Sequence, residues 1–208
     1  MKRAGIALTS AAMLVTLAAC GSQSDSRTET TPSDAAGAAV TAPADEASEV
    51  AASTPYVSLD CVSLQVSPTD APPADAVTIG DASAIFQPNG APAITIATSN
   101  SPATELGYAD ITVGTGDEVQ PDSTVTVNYC GAGYGGLAVF DSSWTTGQPA
   151  TFPLTNLIQG WQEGIPGMKV GGQRLLVIPG ELAYGEAGTQ GIGPNETLAF
   201  VIELEAIG

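Results

Sequence analysis

The residues best suited to chemistry in this sequence are aromatic side chains in its second half, together with one carboxylate. They are Tyr129, Phe140, Asp141, Phe152, Trp161, Tyr184 and Phe200. Rings that fold around a common point enclose a pocket that largely excludes water. Such a pocket can favour a less polar state of a bound group without a nucleophile or a metal. The residue types therefore favour a function in an apolar pocket, if the fold brings them together.

The composition excludes several other kinds of chemistry. The chain has 208 residues, of which 22 are Asp or Glu, 5 are Lys or Arg and none is His, so that the formal net charge is −17. Without histidine there is no Ser-His-Asp or Cys-His catalytic group and no His-ligated zinc. A surface with so few bases cannot neutralise phosphates, so we expect no nucleic-acid partner. We also expect neither a cofactor nor a metal site.

The N-terminus predicts export and a lipid anchor. Lys2 and Arg3 precede a short apolar run, as in a secretory signal peptide, and we assign residues 1–19 to this signal. The sequence LAACG around Cys20 resembles a bacterial lipobox, in which the cysteine is lipidated; the alternative is an ordinary signal peptide. We expect a protein anchored to the cell membrane on its extracytoplasmic side. Because the surface is acidic, only the acyl chains would hold the membrane.

Two cysteines remain after Cys20, and they are Cys61 and Cys130. An even number of cysteines in an exported protein favours a disulfide. The alternative is a pair of free thiols.

The composition divides the rest of the chain into three segments. Residues 20–55 begin with the lipidated Cys20 and continue as an Ala-, Ser-, Thr-, Pro- and acid-rich tether without an aromatic residue, which predicts disorder. Residues 56–92 show short alternating patterns broken by prolines. We interpret them as a strand-containing extension that packs on the main domain. Residues 93–208 carry the strongest periodic patterns and are the predicted main domain.

The main domain is predicted to combine strands with one helix. Alternating apolar residues predict strands at 110–114, 124–129, 137–140, 150–154, 173–178 and 197–207. A helix is predicted to begin at a cap formed by Thr155 or Asn156 and to end before Pro166-Gly167. This order predicts the α+β class, with a five- to six-stranded antiparallel sheet wrapped around one short helix.

Six short motifs in these elements resemble those of a known family. They are, in chain order, VNYCG (127–131), FDSS (140–143), LIQGWQEG (157–164), MKVG (168–171), AYG (183–185) and TLAF (197–200). Over residues 109–207 the sequence resembles the FKBP family of peptidyl-prolyl cis–trans isomerases. The resemblance implies an isomerase that assists the folding of exported proteins. It implies proline-containing polypeptides as substrates and tacrolimus-like macrolides as inhibitors.

The resemblance also implies a role for each site residue. Trp161 would form the floor of a proline pocket, and Asp141, held by Tyr129, would lie beside the twisting amide. The Tyr184 hydroxyl would donate a hydrogen bond to a substrate carbonyl, so that these four are the predicted catalytic residues. The predicted substrate-binding residues are Phe140, Phe152, Leu157, Ile158 through its backbone N–H, Ile192 in a loop that overhangs the site, and Phe200.

Some positions depart from the family pattern. Ala150 stands where the family often has a second aromatic residue, and Gly193 stands where proline is common. A thinner pocket wall and a looser loop favour an alternative function, a catalytically weak module that binds peptide segments as a chaperone or envelope scaffold. A solute-binding lipoprotein is a third hypothesis, disfavoured because such proteins are usually larger and two-lobed.

Overall fold

The computed structural model describes residues 55–208, which form two antiparallel sheets and one short helix. The predicted signal peptide, Cys20 and nearly all of the predicted tether lie outside the described residues. Within residues 55–208, no helix has the length and apolar character needed to cross a bilayer.

The first sheet is built from the segment that follows the predicted tether. Its strands are β1 Tyr56–Asp60, β2 Val66–Thr69, β3 Val77–Ile79, β4 Ala82–Phe86 and β5 Pro92–Ala97. They are antiparallel and lie in the order β2-β1-β5-β4-β3. The central strand of this sheet, β5, therefore contains residues 93–97, which the sequence analysis placed in the main domain. The domain boundaries themselves stay predictions.

The second sheet contains the motifs. Its strands are β6 Gly107–Thr112, β7 Thr124–Gly133, β8 Ala138–Ser142, β9 Ala150–Pro153, β10 Gln173–Ile178 and β11 Leu198–Ile207. The order is β6-β10-β11-β7-β8, and β9 also pairs with β7. Helix α1, Gln159–Gly164, is the one α-helix of residues 55–208. The predicted fold class, α+β with a five- to six-stranded antiparallel sheet and one short helix, is confirmed, and this sheet has six strands.

The helix begins later than its sequence pattern predicts. Residues Leu154–Asn156 form one 3₁₀ turn, and the backbone at Leu157 is extended, with φ −99° and ψ 173°. The α-helix therefore begins at Gln159, directly after Ile158. The predicted start at Thr155 or Asn156 was wrong, because the extended backbone at Leu157 separates the 3₁₀ turn from the α-helix.

The centre of the second sheet is buried on both faces. On one face, β10 and β11 contribute Leu176, Ile178, Phe200 and Ile202 to a core that includes Trp161 of α1. The residues between them point to the opposite face, where Leu175, Val177, Ala199 and Val201 pack with Leu59, Ile94 and Ile96 of the first sheet. The sequence of a strand that is buried on both faces is a continuous run of apolar residues. The run LLVI in β10 is such a sequence.

A disulfide joins the two sheets. Cys61 follows β1 and Cys130 lies in β7; both are fully buried, and their Cα atoms are 5.8 Å apart. The Ser142 hydroxyl at the end of β8 donates a hydrogen bond of 2.7 Å to the carbonyl oxygen of Cys61. Cys61 is thus linked to two neighbouring strands of the second sheet.

We expect reduction of the Cys61–Cys130 disulfide to lower the free energy of unfolding. The two cysteines are separated by 69 residues, and in the chain-entropy model a loop of this size contributes about 4 kcal/mol. Denaturant titrations with and without a reductant, followed by fluorescence, measure the difference. The variant Cys61→Ala/Cys130→Ala should be insensitive to the reductant. Equal midpoints for the oxidised and reduced wild-type protein would contradict the prediction.

Candidate active site

One cavity brings most of the predicted site residues together. It has a volume of about 330 Å³ and lies between α1, the inner face of the second sheet and the loop that contains Tyr184. Its lining residues are Tyr129, Phe140, Asp141, Phe152, Asn156, Leu157, Ile158, Trp161, Tyr184 and Phe200. Nine of the ten predicted catalytic and substrate-binding residues therefore line one cavity.

Trp161 lies at the centre of the aromatic contacts. Its indole is only 4% exposed, and its ring centroid lies 5.3 Å from that of Phe200, 5.7 Å from that of Tyr129 and 6.4 Å from that of Phe152. All three contacts are edge-on, which is a favoured geometry because it sets ring edges against ring faces. Phe140 extends the wall through an edge-on contact with Phe200 at 5.5 Å. These rings form a box with an apolar interior.

The close approach of two of these rings requires a glycine. A Cβ atom on Gly131 would lie 2.5 Å from Phe140 Cζ and 2.7 Å from Phe200 Cε1. Both distances are too short for non-bonded carbon atoms. Because Gly131 has no side chain, both rings can pack against the backbone of β7. Gly131 lies in the VNYCG motif, but no local pattern in the sequence indicates this packing role.

An ion pair fixes the helix that contains Trp161. Arg174 of β10 is buried; its Nη1 donates a hydrogen bond of 2.7 Å to the carbonyl oxygen of Gly164, the last residue of α1. Its Nε lies 2.6 Å from Asp110 Oδ1. A buried guanidinium needs a charged partner and hydrogen-bond acceptors, and Asp110 with the helix terminus supplies them. Helix α1 is thereby held at a fixed position above the sheet.

Tyr129 holds Asp141 at the edge of the cavity. The Tyr129 hydroxyl donates a hydrogen bond of 2.6 Å to Asp141 Oδ2, and the Tyr129 N–H donates one of 2.9 Å to the Ser143 hydroxyl. Burial raises the pKa of Tyr129 well above its usual range, and the hydrogen bond to the Asp141 carboxylate raises it further. The phenol therefore remains a donor, and Asp141, which is exposed, stays oriented beside the rings.

The remaining predicted residues differ in their positions. Tyr184 is 39% exposed and forms part of the cavity's rim. Ile192 does not line the cavity; it is 6% exposed and packs in the core that also contains Trp161. Asn156 does line it, although the sequence analysis considered this residue only as a helix cap. Its position beside Leu157 and Ile158 was the one available signal.

No group of side chains in residues 55–208 has the composition and spacing of a metal site. The cavity instead offers rings, one carboxylate and hydroxyl or amide hydrogen-bond donors. Chemically, it can bind a compact apolar group and can order a polar backbone at its rim.

Comparison with known proteins identifies the family of this chain. The sequence model of the FKBP-type peptidyl-prolyl cis-trans isomerase family matches residues 116–205. A probable FK506-binding protein of Corynebacterium glutamicum is 51% identical over 100 residues, which are 48% of this chain and 85% of that protein. An FK506-binding protein of Streptomyces anulatus is 44% identical over 110 residues, covering 51% and 89% of the two chains.

Among solved structures, FkpA from Escherichia coli aligns with a TM-score of 0.47 and 46% identity, covering 50% of this chain and 48% of that one. The chain belongs to the FKBP-type peptidyl-prolyl cis–trans isomerases, as its motifs predicted. The family model begins at residue 116, so the first sheet lies outside the matched range.

We expect the free energy of unfolding to fall as the pH rises above about 10, the ordinary pKa of tyrosine. Burial raises the pKa of both Tyr129 and Tyr134 in the folded chain. The unfolded chain would then release phenolic protons that the folded chain keeps, which favours unfolding at high pH and has no effect well below pH 10. Denaturant titrations across this range measure the slope. It should be smaller in Tyr129→Phe; an unchanged slope would contradict the assignment of Tyr129.

Proposed function

We propose that this isomerase acts on exported proteins at the outer face of the membrane, and that its aromatic cavity stabilises a twisted Xaa–Pro amide. The observation that carries the proposal is the cavity itself, with buried Trp161 as its floor and the Tyr129–Asp141 pair at its edge. Its size and apolar lining suit a proline ring.

The proposed mechanism follows from the electronic structure of the amide. Rotation about the Xaa–Pro bond must overcome a barrier of roughly 18–20 kcal/mol, because it breaks the resonance of the planar amide. The twisted amide is less polar than either planar isomer. A site that excludes water and binds the twisted form better than the planar forms lowers the barrier, and it needs no covalent step.

The rim residues would hold the peptide while the bond rotates. Ile158 directly precedes α1, and the first N–H groups of a helix have no acceptor within the helix. The Ile158 N–H is therefore available to a substrate carbonyl, and the Tyr184 hydroxyl lies on the same rim. The Asp141 carboxylate, fixed by Tyr129, would lie next to the rotating amide.

The proposed location has support from both the sequence and the fold. The apolar run before Cys20 has the form of an export signal with a lipidation site. The buried Cys61–Cys130 disulfide fits an oxidising compartment outside the cytoplasm. An anchored isomerase would lie close to newly exported chains while their Xaa–Pro bonds are still isomerising. Two relatives have names that describe FK506 binding, so we include a tacrolimus-like macrolide as an inhibitor of this cavity.

We expect the protein to accelerate isomerisation of Xaa–Pro tetrapeptides and Asp141→Ala to lower kcat/KM by about tenfold, the effect of one hydrogen bond to a charged group. Tyr184→Phe, which removes a neutral hydrogen bond, should lower it by about fivefold. A protease-coupled assay measures both changes.

Matched controls for these variants lie outside the cavity lining. Asp122→Ala removes an exposed carboxylate, and Tyr108→Phe removes the hydroxyl of a tyrosine that is 57% exposed. Both should retain the wild-type rate. A wild-type rate equal to the thermal background would reject the proposed mechanism. Tacrolimus binding without turnover would instead favour the peptide-binding module.

We expect Cys20→Ala to move the protein from the membrane fraction to the soluble fraction, because lipidation supplies more than one acyl chain and two are enough for stable anchoring. Cell fractionation and incorporation of labelled palmitate measure the change. Cys61→Ala/Cys130→Ala, which keeps Cys20, should remain in the membrane fraction. If Cys20→Ala also remains there and is still labelled, the lipid-anchor assignment is wrong.

A further inference from the structure

One carboxylate joins two loops next to the cavity. Glu196 Oε1 accepts hydrogen bonds from the N–H groups of Gly135 at 2.8 Å and Gly136 at 3.3 Å, in the turn between β7 and β8. Its Oε2 accepts one of 2.6 Å from the N–H of Gly193, in the loop that precedes β11. A carboxylate has only acceptors, so both of its oxygens suit backbone N–H groups. Glu196 itself belongs to the loop that precedes β11, so its two hydrogen bonds to Gly135 and Gly136 connect the two loops, and the third fixes Gly193 of its own loop.

The glycines make this contact possible. A Cβ atom on Gly135 would lie 3.1 Å from Glu196 Oε1, and one on Gly133 would lie closer still. The glycine-rich turn thus leaves room for the carboxylate. Gly193 has a second property: its N–H is the donor to Oε2, and proline, which is common at this position in the family, has no N–H. The replacement that predicted a looser loop instead supplies a hydrogen bond.

The loop held by Glu196 also contains the rim of the cavity. The loop begins at Tyr184. Its two ends are joined, because the Asn195 N–H donates a hydrogen bond of 2.8 Å to the Gly185 carbonyl oxygen. Thr189 and Ile192 exchange two backbone hydrogen bonds of 3.0 and 2.9 Å, and the Ile192 side chain is buried in the core. A displacement of this loop would therefore move Tyr184 relative to Trp161.

We infer that Glu196 is a positioning residue, which holds the Tyr184 loop against the β7–β8 turn so that the rim is ordered before substrate binds. The inference rests on the proposed function of the cavity. A rim that is already ordered spares the substrate the entropy cost of ordering it, and this raises affinity. The position of Tyr184 therefore depends on a residue that does not line the cavity.

The first test is the variant Glu196→Gln, in which an amide NH₂ replaces one of the accepting oxygens. We expect KM for a Xaa–Pro tetrapeptide to rise about five- to tenfold, the effect of losing a charge-assisted hydrogen bond, with kcat changed less than twofold. Glu186→Gln is the matched control, because Glu186 is an exposed carboxylate in the same loop; its KM should not change. An unchanged KM in Glu196→Gln would overturn the inference.

Amide hydrogen exchange gives a readout that does not depend on activity. The amides of Gly135, Gly136 and Gly193 should exchange faster in Glu196→Gln than in the wild-type protein, whereas those in the centre of β10 should not. Unchanged exchange at the three glycines would overturn the inference even in an active enzyme. If the wild-type protein shows no isomerase activity, the proposed function fails, and the exchange rates still report whether Glu196 joins the loops.

A second variant removes the donor and leaves Glu196 in place. Gly193→Pro deletes one N–H, so it should raise KM in the wild-type background. In the Glu196→Gln background the same substitution should cause little further loss, because residues that share one interaction are not additive. Fully additive changes in KM would mean that Gly193 and Glu196 act independently, and this would overturn the inference.

Discussion

The burial of the second sheet on both faces is the constraint on which the rest of the structure depends. Successive residues of a strand point to opposite faces, so the central strands β7, β10 and β11 must each satisfy two different cores. In β7, Tyr129 points to the aromatic cavity, and the next residue, Cys130, points to the first sheet and forms the disulfide with Cys61. A shift of one residue in the register of β7 would exchange these two faces, so the two cores together fix the position of Tyr129.

The first sheet consequently supports the site from the face of the second sheet that lies opposite the cavity. Tyr129 and Asp141 lie on the paired strands β7 and β8, and the residues that follow them, Cys130 and Ser142, are partners in the register. Cys61 is bonded to Cys130 and accepts a hydrogen bond from Ser142. The backbone on both sides of the Tyr129–Asp141 hydrogen bond is therefore linked to one residue of the first sheet. This arrangement keeps the phenol and the carboxylate at a fixed distance without any metal.

The site combines an apolar interior with a polar edge. Edge-on ring contacts around Trp161 leave an interior without charge, and the carboxylate of Asp141 and the hydroxyl of Tyr184 remain at the boundary with water. Such a division suits a reaction in which the reacting amide becomes less polar while the flanking peptide stays polar. The loop that contains Tyr184 forms part of the rim, and Glu196 joins this loop to the glycine-rich β7–β8 turn with directed hydrogen bonds.

The sequence by itself predicted nine of the ten residues that line the cavity, through motifs that resemble those of the family. It also predicted the bounds of β10 and the fold class, because these depend on local alternation. It did not show β4 and β5, which become a strand pair only against β1 and the second sheet. It placed the start of α1 too early and treated Asn156 as a cap, because a local pattern does not show that the backbone is extended at Leu157. It also could not show that Gly193 donates to Glu196. Only the tertiary structure decided these points, because hydrogen bonds and buried faces between distant residues exist only once their partners have been brought together.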